Sequence, residues 1–270
     1  MTIPAGGQKF AVVEAAPFGM KDEIGYALGD TGNNFTFNLV NSFLTIFYTN
    51  VFGIKGAIVG VMFMIARFFD AFIDVVVGRL ADNSELTSKG RFTPWIIRMK
   101  YPLLVSAIIL WVPLISGVPL GARIVYAFVT YLAFGILYSF VNIPYGSMAS
   151  AISDDPDHKT ALSTWRSVGA AVGSAIVSYI VPLVMYAGNS KQINGARFFF
   201  GAAVFAALGT VCYVALTRLT TERVRVEKSE PVPFGKMLRD MAHNRALLVL
   251  VIVDLVVVIM FTYPVMALLV

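Results

Sequence analysis

The sequence predicts an all-α integral membrane protein, and two observations point to that fold class. Hydrophobic residues make up 57% of the 270 residues and charged residues only 14%, with a mean hydropathy of +0.75. A soluble domain needs a polar surface that such a composition does not supply. The second observation is a set of seven apolar runs, each long enough for the roughly 20 residues with which a helix crosses about 30 Å of hydrocarbon. They lie near residues 24–50, 56–80, 94–116, 121–150, 161–186, 196–217 and 244–270.

The order of these runs divides the chain into three predicted parts. Residues 1–217 form a six-helix transmembrane domain, residues 218–243 a central cytoplasmic loop, and residues 244–270 a seventh transmembrane helix. The chain stops at Val270 with no charged flank after the last apolar run. We therefore expect the seventh helix to be truncated.

Basic residues set the predicted orientation. Most of the 21 Lys and Arg residues lie before the first run or in the alternate loops 79–100, 151–166 and 218–245. Short loops rich in Lys and Arg stay in the cytoplasm, so we predict a cytoplasmic amino terminus in a multi-pass protein of the inner cell membrane. This placement accounts for the net charge of +5 without a nucleic-acid partner. No catalytic triad, zinc-ligand spacing or phosphate-binding loop is present, so the sequence does not predict an enzyme.

Three charged residues interrupt the second apolar run. Arg67, Asp70 and Asp74 follow one another at i, i+3 and i+7, which places them on one face of a helix. A carboxylate at the centre of a membrane helix costs about 2.5–3.5 kcal/mol, so such acids usually face a polar interior and mark ion or proton paths. Two carboxylates one turn apart can bind a cation such as Na⁺ or share a proton. The alternative is a structural Arg–Asp pair buried between helices.

The first apolar run carries a stripe of amides. Asn34, Asn38 and Asn41 lie at i, i+4 and i+7, so they share one helix face. Amides can both donate to and accept from sugar hydroxyls along a pore. They can equally hold helices together in a membrane, and the spacing alone leaves both interpretations open.

Several motifs at fixed spacing resemble those of one transporter family. The acids of the second run form D-x-x-x-D, and the chain continues with G-x-x-x-D at 78–82 and G-R-F-x-P-W at 90–95. The string G-D-x-G-N-N-F at 29–35 and N-I-P-Y-G-S at 142–147 add to the match. Together they resemble the glycoside–pentoside–hexuronide (GPH) cation symporters, the melibiose-permease-like branch of the major facilitator superfamily. Val75 departs from the pattern, since the family usually has proline there.

The resemblance implies a fold and an activity. The chain would be the amino-terminal six-helix half of a major-facilitator transporter, followed by the first helix of the second half. It would carry a small glycoside or oligosaccharide across the bilayer by symport with Na⁺, Li⁺ or H⁺, using alternating access and no other cofactor. A cation site would contain Asp70, Asp74 and Ser139, with Asp70 and Asp74 as the metal ligands if the cation is Na⁺.

The resemblance also implies sugar contacts and a gate. Sugar would be bound by Asn34, Asn38, Asn142 and Arg166, and the loop with Asp82 and Arg91 would gate the cytoplasmic side. Relatives have acids where this chain has Asn34 and Asn142. We therefore expect Asp70 and Asp74 to be the main intramembrane carboxylates of this half.

Two alternatives remain open at this point. A truncated half-transporter would act as an interaction or assembly partner without transport of its own. A lipid carrier of the same superfamily would need a hydrophobic pocket in place of the amide stripe. The transporter prediction itself requires a partner surface, either a missing carboxyl-terminal half or a second copy of the chain, because substrate sites of this architecture form between two halves.

Overall fold

A computed structural model describes residues 16–185 and 193–224, together with scattered residues between 235 and 253. The described part is helical, with six long helices and one short 3₁₀ turn, Pro113–Gly117. The six helices are α1 Met20–Asn50, α2 Gly56–Asp82, α3 Thr93–Ile109, α4 Leu120–Ile152, α5 Pro156–Met185 and α6 Gly195–Leu219. No β-strand occurs in this part of the chain, where the one β-type pairing is an isolated bridge between Thr87 and Gly90. The all-α prediction is confirmed.

The chain divides into two compact units, Met1–Glu227 and Lys228–Val270. All six helices belong to the first unit. Most of the seventh predicted helix, at 244–270, lies outside the described residues. The predicted domain boundaries at 217 and 243 stay predictions.

Five of the described helical segments have the length and hydropathy of membrane spans. They are Gly56–Asp82, Thr93–Gly117, Leu120–Ile152, Pro156–Val184 and Gly195–Leu219. Helix α1 is long enough, with 31 residues, but it contains Asp22, Glu23 and Asp30 and many amides and hydroxyls. Several of its polar side chains are covered by protein, since Asp30, Thr31 and Asn33 are all buried.

Helix α1 is covered by close contact with α5 and α6. The α5 contact depends on Gly169, because a Cβ there would lie 2.1 Å from the carbonyl oxygen of Ala27. The α6 contact pairs Gly32 with Gly209, where a Cβ on either residue would lie about 3 Å from the other's carbonyl oxygen. Small residues that let two backbones approach closely are typical of membrane helix packing. The remaining packing joins α4 to α2 and α3, and α3 to α6.

A segment directly after α6 ties several helix ends together. We call residues 220–224 the brace segment. Glu222 accepts hydrogen bonds from the backbone N–H groups of Arg91 (2.7 Å), Phe92 (3.1 Å) and Thr93 (2.6 Å), and from the Thr93 hydroxyl (2.7 Å). Its carboxylate therefore satisfies donors that the start of α3 would leave unpaired. Gly90 makes room for it, because a Cβ there would lie 2.2 Å from the Glu222 carboxyl carbon.

The brace segment also reaches α1 and α4. Arg223 makes a bidentate ion pair with Asp22 of α1, with both N···O distances 2.9 Å. The backbone N–H groups of Arg223 and Val224 donate to the carbonyl oxygen of Ala151 near the end of α4. The brace segment thus joins the start of α1, the start of α3 and the end of α4.

Candidate functional site

A cavity of about 200 Å³ lies between α1, α2 and α4. It is lined by charged residues from α2, by aromatic, small and amide residues from α4, and by apolar and amide residues from α1. They are Phe37, Val40, Asn41, Arg67, Asp70, Asp74, Tyr131, Phe134, Gly135, Tyr138, Ser139 and Asn142. The three residues of the predicted α2 stripe therefore open onto one space.

The cavity holds the acids in two different settings. Asp74 accepts a 2.5 Å hydrogen bond from the Ser139 hydroxyl of α4. Asp70 lies 3.7 Å from the Arg67 guanidinium, which also donates to the Asn41 side chain at 3.4 Å. The Asp70–Arg67 pair is loose, and the Arg67 side chain is 55% exposed. The three predicted cation-site residues are thus brought together, with Arg67 beside them.

Gly135 of α4 leaves the space that the Asp70 carboxylate occupies. A Cβ at this position would lie 2.6 Å from the Asp70 Oδ1 atom, a separation that real Cβ atoms do not adopt. The absent side chain lets the carboxylate lie directly against the α4 backbone. No sequence motif indicated Gly135.

The donor set suits a hard monovalent cation. Carboxylate, hydroxyl and amide oxygens are the ligands that such ions prefer, and Asp70, Asp74, Ser139 and Asn142 supply them around one cavity. Among the described residues, no three His, Cys, Asp or Glu side chains come together as a metal cluster. A cation here would therefore depend on hydroxyl and amide oxygens as well as on the two carboxylates.

The predicted amide stripe of α1 is divided between two roles. Asn41 lies on the cavity wall. Asn34 accepts a 2.9 Å hydrogen bond from the Ser174 hydroxyl of α5, and Asn38 donates to the Ser174 carbonyl oxygen at 3.4 Å. Both half-buried amides thus connect α1 to α5. Of the predicted sugar contacts, Asn142 is the one on the cavity wall, where it accepts from Asn33 at 3.2 Å.

Arg166 of α5 has a partner that the sequence reasoning missed. Its Nε lies 3.2 Å from the Asp30 Oδ1 atom of α1, and its guanidinium lies 5.4 Å from the centre of the Tyr145 ring. Asn34 donates to the other carboxylate oxygen of Asp30 at 3.3 Å. Asp30 is thus a further buried carboxylate of this bundle, beside the Asp70 and Asp74 that the sequence predicted. Its position four residues before Asn34, on the same face of α1, was the available signal.

The predicted gating residues lie at the α2–α3 loop. Asp82 is the last residue of α2 and is exposed. The Arg91 backbone is held by Glu222 of the brace segment. The loop is therefore anchored through a carboxylate that no motif had indicated.

Comparison with known proteins adds independent findings. A family described as MFS/sugar transport protein matches residues 25–269. The chain is 33% identical over 238 residues to a glucuronide carrier protein homolog of Escherichia coli K12, covering 87% of this chain and 51% of that relative. It is 30% identical over 237 residues to the isoprimeverose transporter of Lactiplantibacillus pentosus, covering 87% and 49%. The inner membrane symporter YicJ of Escherichia coli K12 is 31% identical over 226 residues, covering 83% and 48%. The chain therefore spans about half the length of these relatives.

Proposed function

The chain belongs to the MFS/sugar transport protein family of multi-pass membrane transporters, and from that premise we propose that it forms the amino-terminal half of a cation-coupled glycoside symporter. The complete transporter carries a small glycoside or oligosaccharide across the inner cell membrane by alternating access. Its amino terminus is cytoplasmic. Relatives named as an isoprimeverose transporter and a symporter support both the substrate class and the mode of transport.

One observation carries the coupling proposal: Asp70 and Asp74 open onto the same cavity, and Asp74 is hydrogen-bonded to Ser139. Arg67 balances one of the two negative charges. Among the described residues Asp74 has the Ser139 hydroxyl as a partner and no ion pair, and an unbalanced carboxylate inside an assembled membrane transporter is costly. A bound Na⁺ or Li⁺, or a proton, removes that cost. The cation therefore favours the conformation in which the two acids lie together. Symport requires such a preference, because a ligand shifts a conformational equilibrium only when it binds one state more tightly than the other.

The sugar is assigned to the aromatic and amide side of the cavity. Phe37 and Tyr138 stack with their ring centres 4.8 Å apart, and Asn142 lies one turn beyond Tyr138 on α4. Aromatic faces and amides are suitable contacts for a ring that carries both apolar faces and hydroxyls. Asn34 and Asn38 contribute by fixing α5 against α1, and through Asn34 they orient Asp30 beside Arg166.

We assign the other wall of the sugar permeation path to a partner domain or chain. Six helices of this fold supply half of a substrate site that forms between two halves. We assign the second half to a carboxyl-terminal domain, with a second copy of this chain as the alternative. The loop containing Asp82 and Arg91 lies at the gate between open states, braced by Glu222.

Transport of labelled glycosides into proteoliposomes tests the proposal, using the complete protein that contains this chain. Wild-type uptake should rise when a Na⁺, Li⁺ or H⁺ gradient is imposed. Asp74→Asn should lose this stimulation and keep downhill exchange of sugar. Asp157→Asn, at an exposed acid of α5, is the matched control and should behave as wild type. Full cation stimulation in Asp74→Asn would reject the cation site, and absence of any sugar flux from folded wild-type protein would favour an assembly role.

A further inference from the structure

A chain of hydrogen bonds runs from helix α6 through α1 to the cavity wall. The Tyr213 hydroxyl of α6 donates to the side-chain oxygen of Asn33 of α1 at 2.7 Å. The Asn33 side-chain nitrogen donates in turn to the side-chain oxygen of Asn142 of α4 at 3.2 Å. Asn142 lines the cavity, whereas Tyr213 and Asn33 are each 1% exposed and lie behind it. The chain therefore gives Tyr213 a route to the cavity through Asn142.

The close approach of α1 and α6 places Tyr213 beside Asn33. Gly32 and Gly209 meet at this contact, and Tyr213 lies four residues after Gly209, on the same face of α6. A Cβ at Gly32 would lie 3.5 Å from the Tyr213 ring. The backbone packing of two helices, and not a flexible loop, therefore sets the position of the Tyr213 hydroxyl.

The direction of the first hydrogen bond fixes the direction of the second. A buried phenol needs an acceptor for its one proton, and the Asn33 oxygen supplies it. The nitrogen end of the Asn33 amide is then turned toward Asn142. Because an amide nitrogen can only donate, Asn142 must present its oxygen to Asn33.

The nitrogen of the Asn142 amide is left for the cavity. No described residue accepts a hydrogen bond from it, yet it is not among the side-chain nitrogens that the described part of the chain encloses without a partner. Its two N–H groups can therefore donate to a ligand in the cavity. A sugar offers such a donor the oxygen atoms of its hydroxyl groups.

We propose that Tyr213 is a positioning residue that holds Asn142 as a hydrogen-bond donor to a hydroxyl oxygen of the transported glycoside. The inference rests on the proposed transport function and names the polarity of one sugar contact. In Tyr213→Phe the Asn33 oxygen loses its donor, so both amides can turn over and Asn142 no longer keeps its nitrogen toward the cavity. The apparent affinity then falls with the fraction of molecules in which Asn142 has the binding orientation.

The test measures glycoside binding to the complete protein in detergent. The probes are 4-nitrophenyl β-glucoside and β-galactoside, titrated calorimetrically with Na⁺ present. We expect Tyr213→Phe to weaken binding of the tighter probe by about threefold to tenfold, the factor that corresponds to one hydrogen bond. Tyr48→Phe is the matched control, because the buried Tyr48 hydroxyl donates to the Ala127 carbonyl oxygen and does not line the cavity. It should keep wild-type affinity.

A double-variant comparison separates positioning from a general loss of stability. Tyr213→Phe also removes a buried hydrogen bond, so a lower melting temperature alone would not distinguish the two roles. In the Asn142→Ala background, Tyr213→Phe should change the affinity by less than about twofold, because the residue through which it acts is gone. A purely structural effect would lower the affinity by the same factor in both backgrounds.

Analogues of the tighter probe test the polarity of the contact directly. Each sugar hydroxyl is replaced in turn by fluorine, which accepts a hydrogen bond weakly, or by hydrogen, which does not accept one. In wild type we expect fluorine to cost less affinity than hydrogen at the hydroxyl that contacts Asn142. In Asn33→Asp the new carboxylate accepts from both Tyr213 and Asn142, so Asn142 turns its oxygen to the cavity and the advantage of fluorine should vanish.

Each outcome decides the question. Unchanged affinity in folded Tyr213→Phe, or an equal loss in the Asn142→Ala background, overturns the inference and leaves the transport function standing. If Tyr213→Phe does not fold, the wild-type analogues decide, and equal costs of fluorine and hydrogen at every hydroxyl overturn the inference. Absence of binding and flux in folded wild type for every labelled glycoside of the uptake assay overturns the transport function and this inference with it.

Discussion

Substitution of Glu222 is the strongest test of how the brace segment stabilises the helix bundle. Replacing it by alanine removes the acceptor for three backbone N–H groups at residues 91–93 and for the Thr93 hydroxyl. Glu222 is 4% exposed, and Phe92 and Thr93 are buried as well. Water therefore reaches the vacated donors poorly, and they lose their partners without replacement.

The expected loss of unfolding free energy follows from the number of hydrogen-bond donors that lose their acceptor. A hydrogen bond to a charged group contributes about 1.5–3 kcal/mol, and a buried donor left unpaired costs about 1–3 kcal/mol. These contributions are not additive, and the donor at Arg91 is half-exposed and can be hydrated. We expect Glu222→Ala to lower the free energy of unfolding by about 3–5 kcal/mol. Glu222→Gln keeps one acceptor oxygen without the charge, so it should lose about half of that amount.

Thermal melting of the purified chain in detergent measures the loss, and hydrogen exchange at amides 91–93 localises it. Glu85→Ala is the matched control, because Glu85 is an exposed acid in the same α2–α3 loop. We expect faster exchange at 91–93 in Glu222→Ala and Glu222→Gln only. Unchanged melting and exchange in Glu222→Ala, or an equal loss in Glu85→Ala, would refute the assignment of Glu222 as the anchor of α3.

Three further substitutions probe the cavity and the packing of α1. Gly135→Ala inserts a methyl group into the space of the Asp70 carboxylate, so it should weaken Na⁺ binding, measured by calorimetry, by about tenfold or more. Gly146→Ala is the control on the same helix, because a Cβ there meets open space, and it should keep wild-type affinity. Asp74→Asn should abolish Na⁺-induced thermal stabilisation, and a shift equal to that of wild type would contradict its role as a ligand. Gly169→Ala meets a backbone carbonyl of α1 and should cost about 1–3 kcal/mol of unfolding free energy; a melting temperature as high as that of Gly146→Ala would show that α1 and α5 are less tightly packed than described.

Helix periodicity accounts for what could be predicted from the sequence. The six helices of the first unit fall on the six predicted apolar runs, and Arg67, Asp70 and Asp74 share a cavity because residues at i, i+3 and i+7 share a helix face. This reasoning uses only neighbours along one helix. The contact of Ser139 with Asp74 joins α2 to α4, and the assignment of Ser139 to a cation site came from the family resemblance.

The missed residues act through contacts between elements that are distant in sequence. Asp30 meets Arg166 across 136 positions, and this depends on how α1 packs against α5. Asn34 and Asn38 have the spacing of a pore lining, but the approach of α5 turns them toward Ser174. Glu222 lies in the predicted cytoplasmic loop at 218–243, where no motif marks it. Its role appears only when the end of α6 and the start of α3 are placed side by side.

The burial of polar groups on α1 has a consequence for how the protein is made. This helix leaves the ribosome before the other five described helices, yet the surfaces of α5 and α6 that cover Asp30, Thr31 and Asn33 are synthesised only after α2, α3 and α4. Until then those side chains would have to face lipid or water, and α1 lacks the hydropathy that holds the other five helices in the bilayer on their own. We therefore expect α1 to take its final place late, in response to its partners. In chains stopped after α4, a cysteine introduced into α1 should react with a water-soluble thiol reagent, and in chains that extend through α6 the same cysteine should be protected.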